Sequence, residues 1–322
     1  MGDLLMSQMP WEVCSVVVAL SGPIFATVTP FQASGEIDSA ALGDYLDLLA
    51  AAGVATILVN GTTGEFPSLS LRERIRVAEW CRERWSGTLV VHVGACAVGD
   101  ALELAHHAGG FADALAVMNP FFFAGAPDAG VEDYFRSVLG SCSRPTLLYN
   151  FPHHTQTPIS PRLIAQLRGE FPQLAGIKDS GKDRTMTEQY QQLGRGFVVF
   201  LGDDRAGARI DELGVAGVVT GAGGPVAELP VRIATAVAAG DAGGALAGQS
   251  EFDRYTDARK RLPISDIAFA KAAVAARLPG FPAQVRPPLV AASVDQMHGI
   301  HAVMDLLAPR LTAVGTGLSS TQ

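Results

Sequence analysis

The sequence predicts an α/β chain folded as a (β/α)8 barrel with a C-terminal helical appendage, and three observations predict it. Between residues 21 and 240, eight short apolar runs each lead into a segment whose apolar residues recur at helical spacing. The runs are continuously apolar rather than alternating, as in a parallel sheet covered on both faces. After residue 240 the strand signals stop and only helical patterns remain. Eight such units fit a closed barrel better than an open sheet. No GxGxxG follows the first run, which weakens a doubly wound alternative. The expected division is a lead-in over residues 1–20, a barrel over 21–240 and a helical domain over 241–322.

In chain order, Pro23 to Val28 is the first strand, stopped by Thr29-Pro30. Asp38 N-caps a helix that runs to Ala52, with Leu42, Tyr45, Leu46 and Leu49 on one face and Gly53 closing it. Ala55 to Val59 is the second strand, and the loop Asn60-Gly61-Thr62-Thr63-Gly64-Glu65 follows it. Ser70 and Glu73 open the next helix as a capping box. Further strands fall at 89–93, 114–118, 146–149, 174–178, 197–201 and 217–220. Their helices fall at 99–108, 129–139, 161–167, 184–193, 206–213 and 226–239. Two or three more helices, broken by Pro263, Pro279 and Pro287-Pro288, fill 241–310, and Thr312 to Gln322 reads as a frayed tail.

Composition narrows the function. The 322 residues are 48% hydrophobic and 17% charged, ample for a large core, and the net charge of −8 argues against nucleic acid as a partner. No Lys or Arg precedes Arg72, so no secretory signal is expected, and the run Val16 to Leu20 is too short to cross a membrane. Cys14, Cys81, Cys96 and Cys142 are widely spaced and read as buried thiols, pointing to the cytoplasm. No metal site is expected. Adjacent His153 and His154 cannot easily converge on one ion, and Asp203-Asp204 reads as a helix cap.

The chemistry should gather where the strands end, at the C-terminal mouth of the barrel. One lysine, Lys178, lies inside the apolar run of the sixth strand; the other three (Lys182, Lys260, Lys271) read as solvated surface. Tyr149 ends the fifth strand and Thr62-Thr63 follow the second. A neutral lysine amine attacks a ketone to form an imine, which then serves as an electron sink without any cofactor. Deprotonating a free lysine at pH 7 costs roughly 4 to 5 kcal/mol, and desolvation in a barrel lowers that cost. Asp179 should face away from Lys178, because neighbours on a strand point to opposite faces. A phenol such as Tyr149 can shuttle the protons, and Thr62, Thr63 and the amides of a glycine-rich turn can hold a small carboxylate.

The series GTTGE at 61–65, YNFP at 149–152, GIKD at 176–179 and GDD at 202–204 resembles the dihydrodipicolinate synthase / N-acetylneuraminate lyase family of class I aldolases, over roughly residues 22–300. The resemblance implies a homo-oligomer, tetramer or dimer, and an imine between Lys178 and pyruvate or a related 2-oxo acid. It implies Tyr149 as the proton relay, Thr62, Thr63 and Gly64 beside the substrate carboxylate, and Gly202 and Val219 along the pocket. Two places depart from the synthase pattern. Asn119-Pro120-Phe121-Phe122-Phe123 has no hydroxyl where synthases carry a tyrosine, which puts Phe122 beside the substrate. His154 stands where they carry a carboxylate-binding arginine, and imidazole is a poorer clamp than guanidinium. The GEFP and KDSG runs look more like the 4-hydroxy-2-oxoglutarate and 2-keto-3-deoxy sugar acid aldolases. The leading expectation is therefore a lyase that joins or splits pyruvate and an aldehyde. Behind it stand dihydrodipicolinate synthase, a sugar-acid dehydratase on the same imine, and a barrel that only binds 2-oxo acids.

Overall fold

The structure, a computed structural model, describes residues 20–311. The lead-in up to residue 19 and the tail from Thr312 lie outside the described residues. Eight parallel strands close into a barrel in sequence order. They are β1 Ile24–Ala26, β2 Thr56–Val59, β3 Thr88–His92, β4 Ala114–Met118, β5 Thr146–Asn150, β6 Leu174–Asp179, β7 Val198–Leu201 and β8 Gly217–Thr220.

Helices cover the barrel: α1 Ser39–Ala51, α2 Leu71–Arg84, α3 Val98–Gly109 and α4 Asp128–Gly140, then the single turn α5 Pro152–Thr155. There follow α6 Pro161–Glu170, α7 Arg184–Gln191, the short α8 Ile210–Leu213 and α9 Glu228–Ala238. Three helices come after the barrel: α10 Ala242–Lys260, α11 Asp266–Ala275 and α12 Val294–Leu307. The caps fall where the sequence puts them. Asp38 accepts from the Ala41 N–H, and Ser70 with Glu73 forms both halves of the capping box. Each such cap stabilises its helix by about 1 kcal/mol.

Alternation sorts the strand residues into two cores. Ile24, Ala26, Leu58, Val90, Ala114, Ala116, Leu147, Phe200 and Val219 fill the barrel interior. Their neighbours Phe25, Ile57, Val91, Leu115, Leu148 and Ile177 pack outward against the helices. The same phase carries inward side chains onto the upper rim: Asn60 is two residues beyond Leu58, His92 beyond Val90, Met118 beyond Ala116, Tyr149 beyond Leu147. Gly176 keeps β6 tight, since a Cβ there would collide with the Val198 carbonyl.

Four expectations need correction. The helix expected at 206–213 is a 3-10 segment, Asp204–Arg209, before the single turn of α8. The Ala208 N–H there is taken by Gln249 Oε1 at 3.1 Å instead of a carbonyl one turn back. The helix expected from Val226 begins as a 3-10 turn, Gly224–Val226, where Pro225 offers no N–H. Cys96 is exposed, because it lies past β3 in the loop to α3; Cys81 and Cys142 are buried, and Cys14 lies outside the described residues. Lys271, read as solvated, is 0% exposed. It sits among Phe269, Ala270, Ala272 and Val274 on a helix buried all round. No helix among the described residues is long and apolar enough to cross a membrane.

Candidate active site

Lys178 and Tyr149 are register partners on adjacent strands, so both side chains enter the barrel mouth at one level. Lys178 is 6% exposed. Its Nζ lies 3.8 Å from the centroid of the Tyr149 ring. The Tyr149 hydroxyl and Thr62 Oγ1 are 3.2 Å apart, close enough to share a proton. Asp179 faces the other way, as strand geometry requires. Its carboxylate accepts from Asn150 Nδ2 at 2.9 Å, the Gly181 N–H at 2.9 Å and Thr187 Oγ1 at 2.7 Å.

The loop after β2 is a tight turn bracketed by two left-handed residues that are not glycine, Asn60 at φ 57° and Glu65 at φ 56°. Such conformations cost on the order of 1–3 kcal/mol each and persist only when the surroundings hold them. The turn uses the N–H groups of Gly64, Glu65 and Phe66, and leaves those of Thr62 and Thr63 without a partner among the described residues. Thr29 Oγ1 holds the Gly64 carbonyl at 2.9 Å. Thr63 reaches across to β8, where a Cβ on Gly221 would sit 2.9 Å from its hydroxyl. Thr62 and Thr63 thus present two hydroxyls and two free amides, the donor set a carboxylate takes.

The remaining expected residues scatter more widely. Val219 is buried in the interior cluster with Phe200, the register partner of Lys178. Gly202 donates its N–H to the Asp179 carbonyl at 2.7 Å, and any Cβ there would collide with Ser180 Oγ. His154, exposed on α5, stacks on Phe151 at 4.0 Å, and Phe151 stacks in turn on Tyr149 at 5.8 Å. Its imidazole pKa is lowered by burial and by the neighbouring His153. Phe122 is not brought to the site. It is 79% exposed and meets Phe123 edge to face, while Phe121 turns inward onto Phe66. Neighbouring residues of one loop cannot all face one side, and only Phe121 reaches the apolar wall of Phe66, Met118 and Tyr149.

Two buried polar residues went unread in the sequence. His92 is edge-on to both Phe66 and Tyr149, with Nδ1 2.9 Å from the Asn60 carbonyl oxygen, which fixes the proton on Nδ1. Burial first, then the charge of Arg74, holds its pKa well below the usual imidazole range. Arg74 donates to the carbonyls of His92 at 2.7 Å and Gly94 at 3.0 Å, and burial pulls its pKa down to about 10. The signals were present: His92 keeps the inward phase of Val90, and Arg74 shares a helix face with Val77, Ala78 and Cys81. Among the described residues no group of three or more His, Cys, Asp or Glu could hold a metal ion.

Comparison with known proteins decides the family, because residues 19–306 match the Dihydrodipicolinate synthetase family. The chain belongs to that family. With membership comes the enzyme class, a carbon–carbon lyase. Curated relatives within the family carry different names. A 4-hydroxy-tetrahydrodipicolinate synthase of Bartonella bacilliformis is 29% identical over 69% of this chain and 76% of its own length. The N-acetylneuraminate lyase of Rattus norvegicus is 37% identical over 51% of this chain and 53% of its own. A probable 2-dehydro-3-deoxy-D-pentonate aldolase of Escherichia coli is 30% identical over 69% and 75%. Among solved structures, a sialic acid aldolase of Ruminococcus gnavus superposes with a TM-score of 0.84 at 23% identity, covering 90% of this chain and 97% of that one, which speaks for the fold.

Proposed function

We propose that this chain is a class I lyase that forms a lysine imine with pyruvate or a related 2-oxo acid and makes or breaks a carbon–carbon bond to an aldehyde. The observation that carries the reading is the position of Lys178 Nζ, 3.8 Å over the ring of Tyr149, whose hydroxyl contacts Thr62. Lys178 is the nucleophile, Tyr149 the proton relay, and Thr62, Thr63 and the amides of their turn the carboxylate site. Gly64 lets the turn close, while Gly202 and Val219 bound the pocket on the β7 and β8 side.

The neutral amine adds to the ketone carbon, and the carbinolamine loses water as Tyr149 moves the proton to the departing hydroxyl. In the cleavage direction the C3–C4 bonding pair flows into the protonated imine. The C4 hydroxyl returns a proton to the Tyr149 oxygen, and the C4 fragment leaves as the aldehyde. Protonation at C3 and hydrolysis of the imine return pyruvate and the free amine. His154, on the rim beyond Phe151, meets the distal end of the aldehyde. Uncharged above the ordinary imidazole range and with an all-phenylalanine loop nearby, it favours a hydroxylated or sugar-acid aldehyde over a clamped carboxylate. The same proposal takes residues 21–240 as the catalytic barrel and 241–322 as a helical domain. It takes the assembly as a homo-oligomer, for which the exposed Phe122 and Phe123 offer an apolar contact.

The test is reductive trapping. With pyruvate and borohydride, one pyruvate-derived adduct should map to Lys178; no mass gain there sinks the imine. An aldehyde panel scored by pyruvate consumption or release then ranks substrates, and brisk turnover of aspartate semialdehyde would favour the synthase reading instead.

A further inference from the structure

Glu65, the last residue of the loop after β2, sends its carboxylate away from the site into a buried contact with the C-terminal helices. Lys271 Nζ on α11 pairs with it while also donating to the Gln284 carbonyl at 2.8 Å. The Arg286 N–H donates to Glu65 Oε2 at 3.0 Å. Both cations lie over the Phe31 ring, Lys271 Nζ at 3.9 Å and the Arg286 guanidinium at 4.4 Å from its centroid. The Arg286 guanidinium then ties the surroundings together. It donates to the Gly35 carbonyl at 2.7 Å, the Ser68 carbonyl at 2.8 Å and the two Glu73 oxygens at 2.9 and 2.5 Å.

We propose that Lys271, Glu65 and Arg286 form a clamp by which the segment after the barrel sets the conformation of the Thr62–Thr63 loop. They are positioning residues, and the proposal rests on the reading of that loop as the carboxylate site. A buried ion pair is a poor device for stability alone, since a well-packed apolar pair of similar volume usually serves as well or better. What the pair does supply is direction. Glu65 holds a left-handed backbone that favours glycine, and its carboxylate is fixed from two sides by groups more than 200 residues away in sequence. Between Glu65 and the Tyr149 contact lie only Thr63 and Gly64, and the Glu65 N–H donates to the Thr62 carbonyl at 3.0 Å. Rotation at Glu65 would therefore move both threonine hydroxyls.

The experiment compares the wild type with Glu65→Gln/Lys271→Met, which removes both buried charges together, and with Arg286→Gln, which keeps the backbone N–H. Hydrogen exchange over residues 60–69 is read beside the kinetics with pyruvate. We expect loop amides to exchange at least about tenfold faster, KM for pyruvate to rise about tenfold and kcat to stay within about twofold, with a smaller shift of the same kind in Arg286→Gln. Unchanged loop exchange in a folded variant overturns the clamp. So does faster exchange spread evenly over the barrel, which would mean general loosening. If the double variant does not fold, Arg286→Gln decides by the same criterion. If the wild type forms no adduct with pyruvate, the proposed function falls, and the exchange measurement still judges the clamp.

Discussion

Tyr149 and Lys178 sit opposite each other in the β5–β6 register, and the amine of one rests on the ring face of the other. In the proposed mechanism the ring is both wall and relay, so removing the hydroxyl separates the two. Tyr149→Phe keeps the ring and the fold and should lower kcat by on the order of 100-fold, because proton transfer at the carbinolamine loses its carrier. The lost contact to Thr62 Oγ1 should cost about 1 kcal/mol of stability. An unchanged kcat would take Tyr149 out of the relay.

The nucleophile proposed at Lys178 should come at a cost in stability. Its amine is buried, and no carboxylate among the described residues pairs with it. Lys178→Met should abolish adduct formation and turnover while raising the unfolding midpoint, since a thioether fills the place of a buried amine. Calorimetry beside the trapping assay reads both; a lowered midpoint contradicts the account.

His154 offers a test of specificity. A guanidinium binds a carboxylate through two parallel hydrogen bonds where imidazole makes one. His154→Arg should raise kcat/KM for carboxylate-bearing aldehydes about tenfold relative to neutral ones. Equal effects on both classes would place the side chain outside the aldehyde's reach.

Acid should loosen the contact between α2 and Arg286 only below the ordinary carboxylate range. The Arg286 guanidinium beside Glu73 holds that carboxyl down to about 2, from an ordinary 4.5. The folded state thus binds fewer protons than the unfolded one between those values. The stabilisation is full above about pH 4.5 and is lost as pH falls toward about 2. Because Glu73 is partly solvated, screening reduces the effect to on the order of 1 kcal/mol. Denaturant titrations of wild type and Arg286→Gln should converge as pH is lowered through this window; parallel curves would contradict it.

How much was legible follows from the kind of signal each residue gives. Strands, their order and the place of Lys178, Tyr149 and Thr62 followed from short-range periodicity, because a closed parallel barrel lines up strand ends by rule. Asp179 was placed outward by the same alternation. Lys271 was misread because its burial depends on a partner, Glu65, that only the closed fold brings near. An apolar helix on both sides of it was the overlooked cue. Phe122 and Phe121 differ by one step along an irregular loop, where no period says which ring turns inward. His92 and Arg74 lay hidden inside segments read only for their apolar members.

Glu65 and Arg286 are separated by 221 positions, about three quarters of the length of the described chain. During synthesis every strand of the barrel, Lys178 included, has emerged long before Arg286. A nascent chain stalled after α9, or a fragment cut there by a protease, would therefore carry Lys178, the proposed nucleophile, without the residues of the proposed clamp that follow the barrel. On the proposed reading, competence with substrate is deferred until the segment carrying Arg286 has been made.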